Sequence, residues 1–191
     1  MAVLHIQDYE KYHGAVITKL LQAQQIEKLI LVEASQDAWG AYDITLRSGR
    51  DIRLYMLYRT KPDYPKPDSP TKGKTTWNFS IQGPRLEQLC SELEASQAGP
   101  EIWLALICMN DSPEADSYIC FLSPKEISAL CLCNGAPPAT ITVYLEHGKR
   151  KFRVYSTIDC PDRKVGTQDE PLKVSRSRIN NLSSDSESSS D

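Results

Sequence analysis

The sequence predicts an α+β fold, or a three-layer α/β/α sandwich, built on a mixed sheet of six to seven strands with three helices. Three observations point there. Apolar residues alternate with polar ones across a hairpin between Tyr42 and Met56. Three separate segments carry apolar residues at helical spacing. The run Ile102 to Met109 is apolar on both faces, as a central strand requires. The chain has 191 residues, 40% of them hydrophobic, which suits one domain with a real core. Its net charge of −3 and pI near 5.7 argue against nucleic-acid or membrane binding through bulk charge.

The elements run in this order. Asp8 can cap a helix to about Gln24, with Tyr9, Tyr12, Val16, Leu20 and Ile17, Leu21 as its apolar stripe. Glu27 to Glu33 reads as a strand. In the hairpin, Tyr42, Ile44 and Leu46 face Ile52, Leu54 and Met56, and a three-residue loop, Ser48-Gly49-Arg50, pairs Arg47 with Asp51. That register sets Asp43 opposite Tyr55. From Thr60 to Thr76 four prolines and four lysines, against Asp63 and Asp68, make a loop unsuited to regular pairing.

Trp77 to Gln82 is the next strand, and Gly83-Pro84 opens a helix to about Ser96. Glu101 to Met109 and Tyr118 to Leu122 are strands. Ser123-Pro124-Lys125-Glu126 starts a third helix, ending near Cys133 before Asn134-Gly135. Ala139 to Leu145 and Lys151 to Tyr155 form a hairpin. The globular domain is thus 1–157. Residues 158–191 lack apolar periodicity and hold seven acids against five bases, which predicts a disordered, acidic, serine-rich tail.

The chemistry is mostly defined by exclusion. There is no Walker loop, no G-x-G-x-x-G, no H-E-x-x-H and no G-x-S-x-G. Cys131-Leu132-Cys133 lacks the second pair or histidine that would complete a zinc site, so no metal site is assigned. The six cysteines are read as reduced, mostly buried thiols, because no secretory leader and no long apolar span is visible. A soluble cytoplasmic protein is the expectation. Gly14, beside His13 inside the first helix, is expected to permit close packing against a strand.

Tyr12-His13-Gly14, Tyr55-Met56-Leu57-Tyr58, Trp77-Asn78-Phe79-Ser80 and Trp103-Leu104-Ala105-Leu106-Ile107-Cys108 together resemble an uncharacterised family of small bacterial cytoplasmic proteins, over residues 8–156. The helix-then-hairpin opening also resembles the restriction-endonuclease-like fold. That resemblance implies a magnesium ion held by a first-helix Glu, a strand Asp and an acid-x-Lys. The matching positions are Glu10, Asp43 and either Asp51-Ile52-Arg53 or Tyr55-Met56-Leu57, with Lys61 as the substitute lysine. In the expected register Asp51 lies roughly 13 Å along the strand from Asp43's partner, too far to share an ion.

The function expected is therefore a non-enzymatic interaction module. Its partner, a protein or a nucleic acid, would be met through Lys61, Lys66, Lys72 and Lys74 beside Tyr64 and Trp77, and through the acidic tail. No membrane and no cofactor are implied. The alternative is a magnesium-dependent or degenerate nuclease.

Overall fold

A computed structural model describes residues 8–23, 26–34, 39–63, 73–95, 99–111, 116–130, 139–158 and 164–182. The fold is α+β, as the sequence predicts, but its strands divide between two sheets. The first has the order β1 (Ile26–Ala34), β2 (Trp39–Leu46), β3 (Asp51–Arg59), β5 (Glu101–Cys108), β6 (Tyr118–Leu122). The second has the order β4 (Lys74–Ile81), β7 (Ala139–Glu146), β8 (Lys151–Ser156), β9 (Leu172–Ser175). Only the β3–β5 pair is parallel among the pairs described, and its crossover carries α2 (Gly83–Ala95). α1 spans Asp8–Gln22 and α3 spans Pro124–Ala129. The side chains of Asp8 and Tyr9, offered as cap and stripe, lie outside the described residues.

Each face of the first sheet builds its own core. Val16 and Leu20 of α1 pack with Ile44, Leu54, Met56, Trp103 and Phe121 on one side. On the other, Tyr55, Leu57, Leu104 and Leu106 meet Leu86 and Leu89 of α2 and Phe79, Val143 and Phe152 of the second sheet. β5 is buried on both faces, as expected of a central strand.

The hairpin register differs from expectation by two residues. Thr45 pairs with Asp51, and Asp43 with Arg53 rather than Tyr55. The loop is Arg47-Ser48-Gly49: the amide of Leu46 donates to the Arg50 carbonyl at 2.8 Å, and Gly49 sits at φ 81°. A three-residue hairpin loop ends on a residue in the left-handed region, which glycine takes without strain. A slip of two keeps every side chain on its face, so the apolar pattern could not choose between the two registers.

The domain boundary also moves. Residues 164–182 are part of the fold, not of a disordered appendage. β9 pairs with β8, Val174 is fully buried, and Leu182 enters the α1 core at 1% exposure. Arg178 donates to the Phe121 carbonyl and pairs with Glu126. Arg50 donates to the Leu182 carbonyl at 3.0 Å. Residues 183–191, the rest of the expected disordered tail, lie outside the described residues.

Gly14 does not carry the close contact expected of it: a Cβ there would meet nothing within 4 Å. The close approach is at Gly40 on β2, where a Cβ would lie 2.5 Å from His13 Cε1. The His13 ring, 1% exposed, is hydrogen-bonded at Nδ1 to the Tyr42 hydroxyl, 3.3 Å away.

Cys90 is disulfide-bonded, which overturns the expectation of six reduced thiols. Cys108 and Cys120 are free, and burial pushes both thiols well above their ordinary pKa. Cys131, Cys133 and Cys160 lie outside the described residues, as does the expected Asn134-Gly135 helix stop. A disulfide is uncommon in reducing cytosol, so the cytoplasmic expectation loses one of its supports. No helix of the described residues is long and apolar enough to cross a membrane.

Candidate functional site

Two polar sites stand out, one where the sequence drew attention and one where it did not. The first lies on the β2–β3 face turned toward α2. Arg53 grips Asp43 in a two-pronged pair, Nε to Oδ1 at 2.7 Å and Nη2 to Oδ2 at 3.0 Å. Its third nitrogen, Nη1, donates to Glu92 of α2 at 2.9 Å. The corrected register creates this arrangement, because cross-strand partners project from the same face. Asp43 first, and Glu92 after it, hold the guanidinium firmly in its charged form. Burial, followed by the Glu92 carboxylate, pushes the neighbouring Tyr55 phenol upward.

Asp51 accepts a hydrogen bond from Thr45 Oγ1 at 2.7 Å and lines a cavity of about 490 Å³ with Asp43, Lys28 and Ile30. It is a diagonal neighbour of Asp43, a separation of about 7–8 Å rather than the 13 Å expected. The corrected register therefore brings Asp43, Asp51 and Arg53 together. It does not bring Glu10. That exposed residue belongs to α1, which packs on the opposite face of the sheet. Lys61 is no substitute either: β3 runs on to Arg59, six residues and roughly 20 Å past Arg53, and Lys61 lies beyond that end. Among the described residues no three acids, histidines or cysteines are grouped to hold a metal ion.

The expected partner-binding residues disperse as well. Trp77 is core, not surface: it is 0% exposed and its indole donates to the Met109 carbonyl at 2.7 Å. Lys61 is exposed, and Lys74 opens β4 with its ammonium 4.8 Å from the Tyr144 ring centre. Among the described residues of the loop, Asp63 bridges to Thr76 and its carboxylate accepts from the Asn78 amide at 2.9 Å. Tyr64, Lys66 and Lys72 lie outside the described residues.

The second site is a groove of about 720 Å³ where β6, the edge of one sheet, meets β8 and β9 of the other. Four exposed cations line it: Lys19, Arg150, Lys151 and Arg176. Among the described residues, no acid does. Its apolar floor is Phe152, in edge-to-face contact with Tyr118 at 6.2 Å. The Arg176 guanidinium rests 4.3 Å over the Tyr118 ring, which fixes one cation without neutralising it. Hydroxyls complete the wall. Ser175 and Ser177 are 3.0 Å apart through Oγ, and Ser117 Oγ accepts from the Asn110 amide. The nearby Asp116 carboxylate accepts from the Tyr118 hydroxyl at 3.4 Å.

The positive character continues onto the outer face of the second sheet. Phe152, Val154 and Val174 point inward, so Arg153 and its cross-strand partner Lys173 point to solvent. The sequence contained a trace of this groove in Lys149-Arg150-Lys151 and Arg176-Ser177-Arg178. The net charge of 158–191 conceals it, because the three bases of 171–182 are cancelled by the three acids of 183–191. No protein-family model, no curated protein and no solved structure matches this chain.

Proposed function

We propose that the chain is a non-enzymatic interaction module that captures an acidic segment of a partner protein in the groove between β6 and β9. The observation that carries this is four cations lining one groove without an acid among the described residues, on a chain whose net charge is −3. Such segregation concentrates an attractive field where a carboxylate-rich segment can enter. Arg offers forked donors, and the serine hydroxyls supply neutral hydrogen bonds. Arg153 and Lys173 extend the positive surface, whereas Lys74 of the 60–76 segment stands opposite Glu146.

A fluorescein-labelled nona-glutamate peptide tests this by anisotropy. The full chain should bind it, and more weakly as salt rises. Arg150→Glu with Lys151→Glu, both exposed, should weaken binding at least tenfold while leaving the melting curve in place. Equal binding by variant and wild type would remove the groove from consideration. A single-stranded oligonucleotide bound more tightly than the peptide would make the partner a nucleic acid.

The clustering of Asp43, Asp51 and Arg53 favours a second reading, a nuclease scaffold using magnesium. Against it, Asp43 is held by Arg53 and Glu10 stands behind the sheet. Plasmid DNA incubated with magnesium or manganese should remain uncut. Cleavage that vanishes in Asp43→Ala would establish the nuclease and displace the module.

A further inference from the structure

Resting on the reading of the groove as an acid-binding site, we infer that its preferred ligand is a phosphoserine within the partner's acidic segment, the phosphoryl group seating between Arg150 and Arg176. The β8–β9 ladder brings these two arginines together. Lys151 pairs with Ser175, and one step beyond, the Arg176 amide donates to the Arg150 carbonyl at 3.4 Å. Residues paired across a ladder have Cβ atoms about 5 Å apart and project to the same side. Tyr118 steadies one of the pair, with the Arg176 guanidinium 4.3 Å from its ring centre. Arg150 and Arg176 are thus like charges set opposite one another, which costs stability unless an anion lies between them. Among the described residues neither guanidinium has a carboxylate partner, and no acid lines the groove.

This donor set suits a phosphoryl group better than a carboxylate. Lys151 adds a third positive charge beside the pair, and Lys19 lines the same groove from α1. One carboxylate brings a single negative charge and two oxygens in a plane. A phosphoryl group brings a charge of about −1.5 to −2 and three strong acceptor oxygens. Two guanidinium forks can therefore engage different oxygens of one phosphoryl group, each through paired N–H donors. Hydroxyls take part as well. Ser175 and Ser177 lie 3.0 Å apart through Oγ, and the Ser177 amide donates to Ser175 Oγ at 3.3 Å. Of two hydroxyls that share one hydrogen bond, one keeps its proton for a ligand. The apolar floor at Phe152 keeps water from one side, which strengthens every charged contact above it.

The test compares fluorescein-labelled peptides on the full chain: nona-glutamate, and the same peptide with phosphoserine or serine in place of its central residue. The phosphopeptide should bind about tenfold more tightly than nona-glutamate, the gain of one charge-assisted hydrogen bond. The serine peptide should bind more weakly than either. Equal affinity for the phosphopeptide and nona-glutamate would overturn the inference. Arg150→Lys with Arg176→Lys keeps the charge and removes the forks. Both peptides should still bind this variant, and the ratio of their affinities should fall to about one. A ratio unchanged from wild type would overturn the seat between the two arginines. Inorganic phosphate that displaces the phosphopeptide at micromolar concentration would make free phosphate the ligand and overturn the phosphoserine. The two proposals can fail separately. Nona-glutamate binding without a phosphoserine advantage would keep the acid-binding groove and remove the phosphoryl seat. Phosphopeptide binding without nona-glutamate binding would do the reverse.

Discussion

Ending the chain at Thr157 should abolish its cooperative thermal transition. The truncation removes Ile158, Val174 and Leu182, which are 8%, 0% and 1% exposed. Fully burying such side chains contributes about 1.5–3 kcal/mol each, so the loss is on the order of 4.5–9 kcal/mol. A domain of this size has only about 5–15 kcal/mol to lose. The cut also strips the β8 edge of its β9 partner and takes Arg178 from the Phe121 carbonyl and Glu126. A chain ending at Leu182 is the control. It keeps every one of those contacts and should melt within about 2–4 °C of full length, the equivalent of about 1 kcal/mol. Circular dichroism on heating distinguishes them. An unchanged midpoint for the 157-residue chain would show that β9 does not belong to the fold.

Gly40→Ala is expected to destabilise the protein by about 1–3 kcal/mol, the usual range for an overpacked core. The new Cβ would lie 2.5 Å from His13 Cε1 and 2.7 Å from Nδ1, so the ring must move. It has nowhere convenient to go. Tyr42 flanks it at 5.8 Å between centroids and Tyr58 at 6.3 Å, both edge-on, and the site is buried. In the double variant with His13→Ala the clash disappears, so the combined loss should fall short of the sum of the single losses. Additive losses would show that the ring is not what excludes the methyl group. Gly14→Ala should move the other way. It faces open space in a helix, so alanine should add up to about 1 kcal/mol of stability. Denaturant melts of the four variants measure all of this.

The elements were legible because their apolar periods are local. Ile52, Leu54 and Met56 announce a strand from within nine residues, and Trp103, Ala105 and Ile107 interleave with Leu104 and Leu106 to announce a buried one. What failed was choice among arrangements that a local pattern serves equally. Both hairpin registers keep the same faces. Gly49, as the third loop residue, could have selected the right one, since it alone takes the left-handed position cheaply. The division into two sheets depends on β4 pairing with β7, from Ile81 with Ala139 to Lys74 with Glu146, a separation no window contains. β9 is only four residues long, and its alternation of Leu172 and Val174 was submerged in a polar segment. At the candidate sites, Asp43 and Asp51 were found by type. The groove was not, because its cations come from α1, the β7–β8 turn, the start of β8 and the segment after β9.

The helix that begins the described chain shares its core with the residues that end it. Ile179 and Leu182 pack in the cluster built around Val16 and Leu20 of α1. During synthesis this has a temporal meaning. Translation adds about 5–20 residues each second, so α1 waits at least several seconds for the side chains that complete its seat. Through that interval the sheet surface carrying Ile44, Leu54 and Met56 stands partly bare to whatever else is in solution. A nascent chain of this design should draw on chaperones until Ile179 and Leu182 leave the ribosome, and should refold slowly from denaturant because its decisive contacts join residues as far apart as Val16 and Leu182.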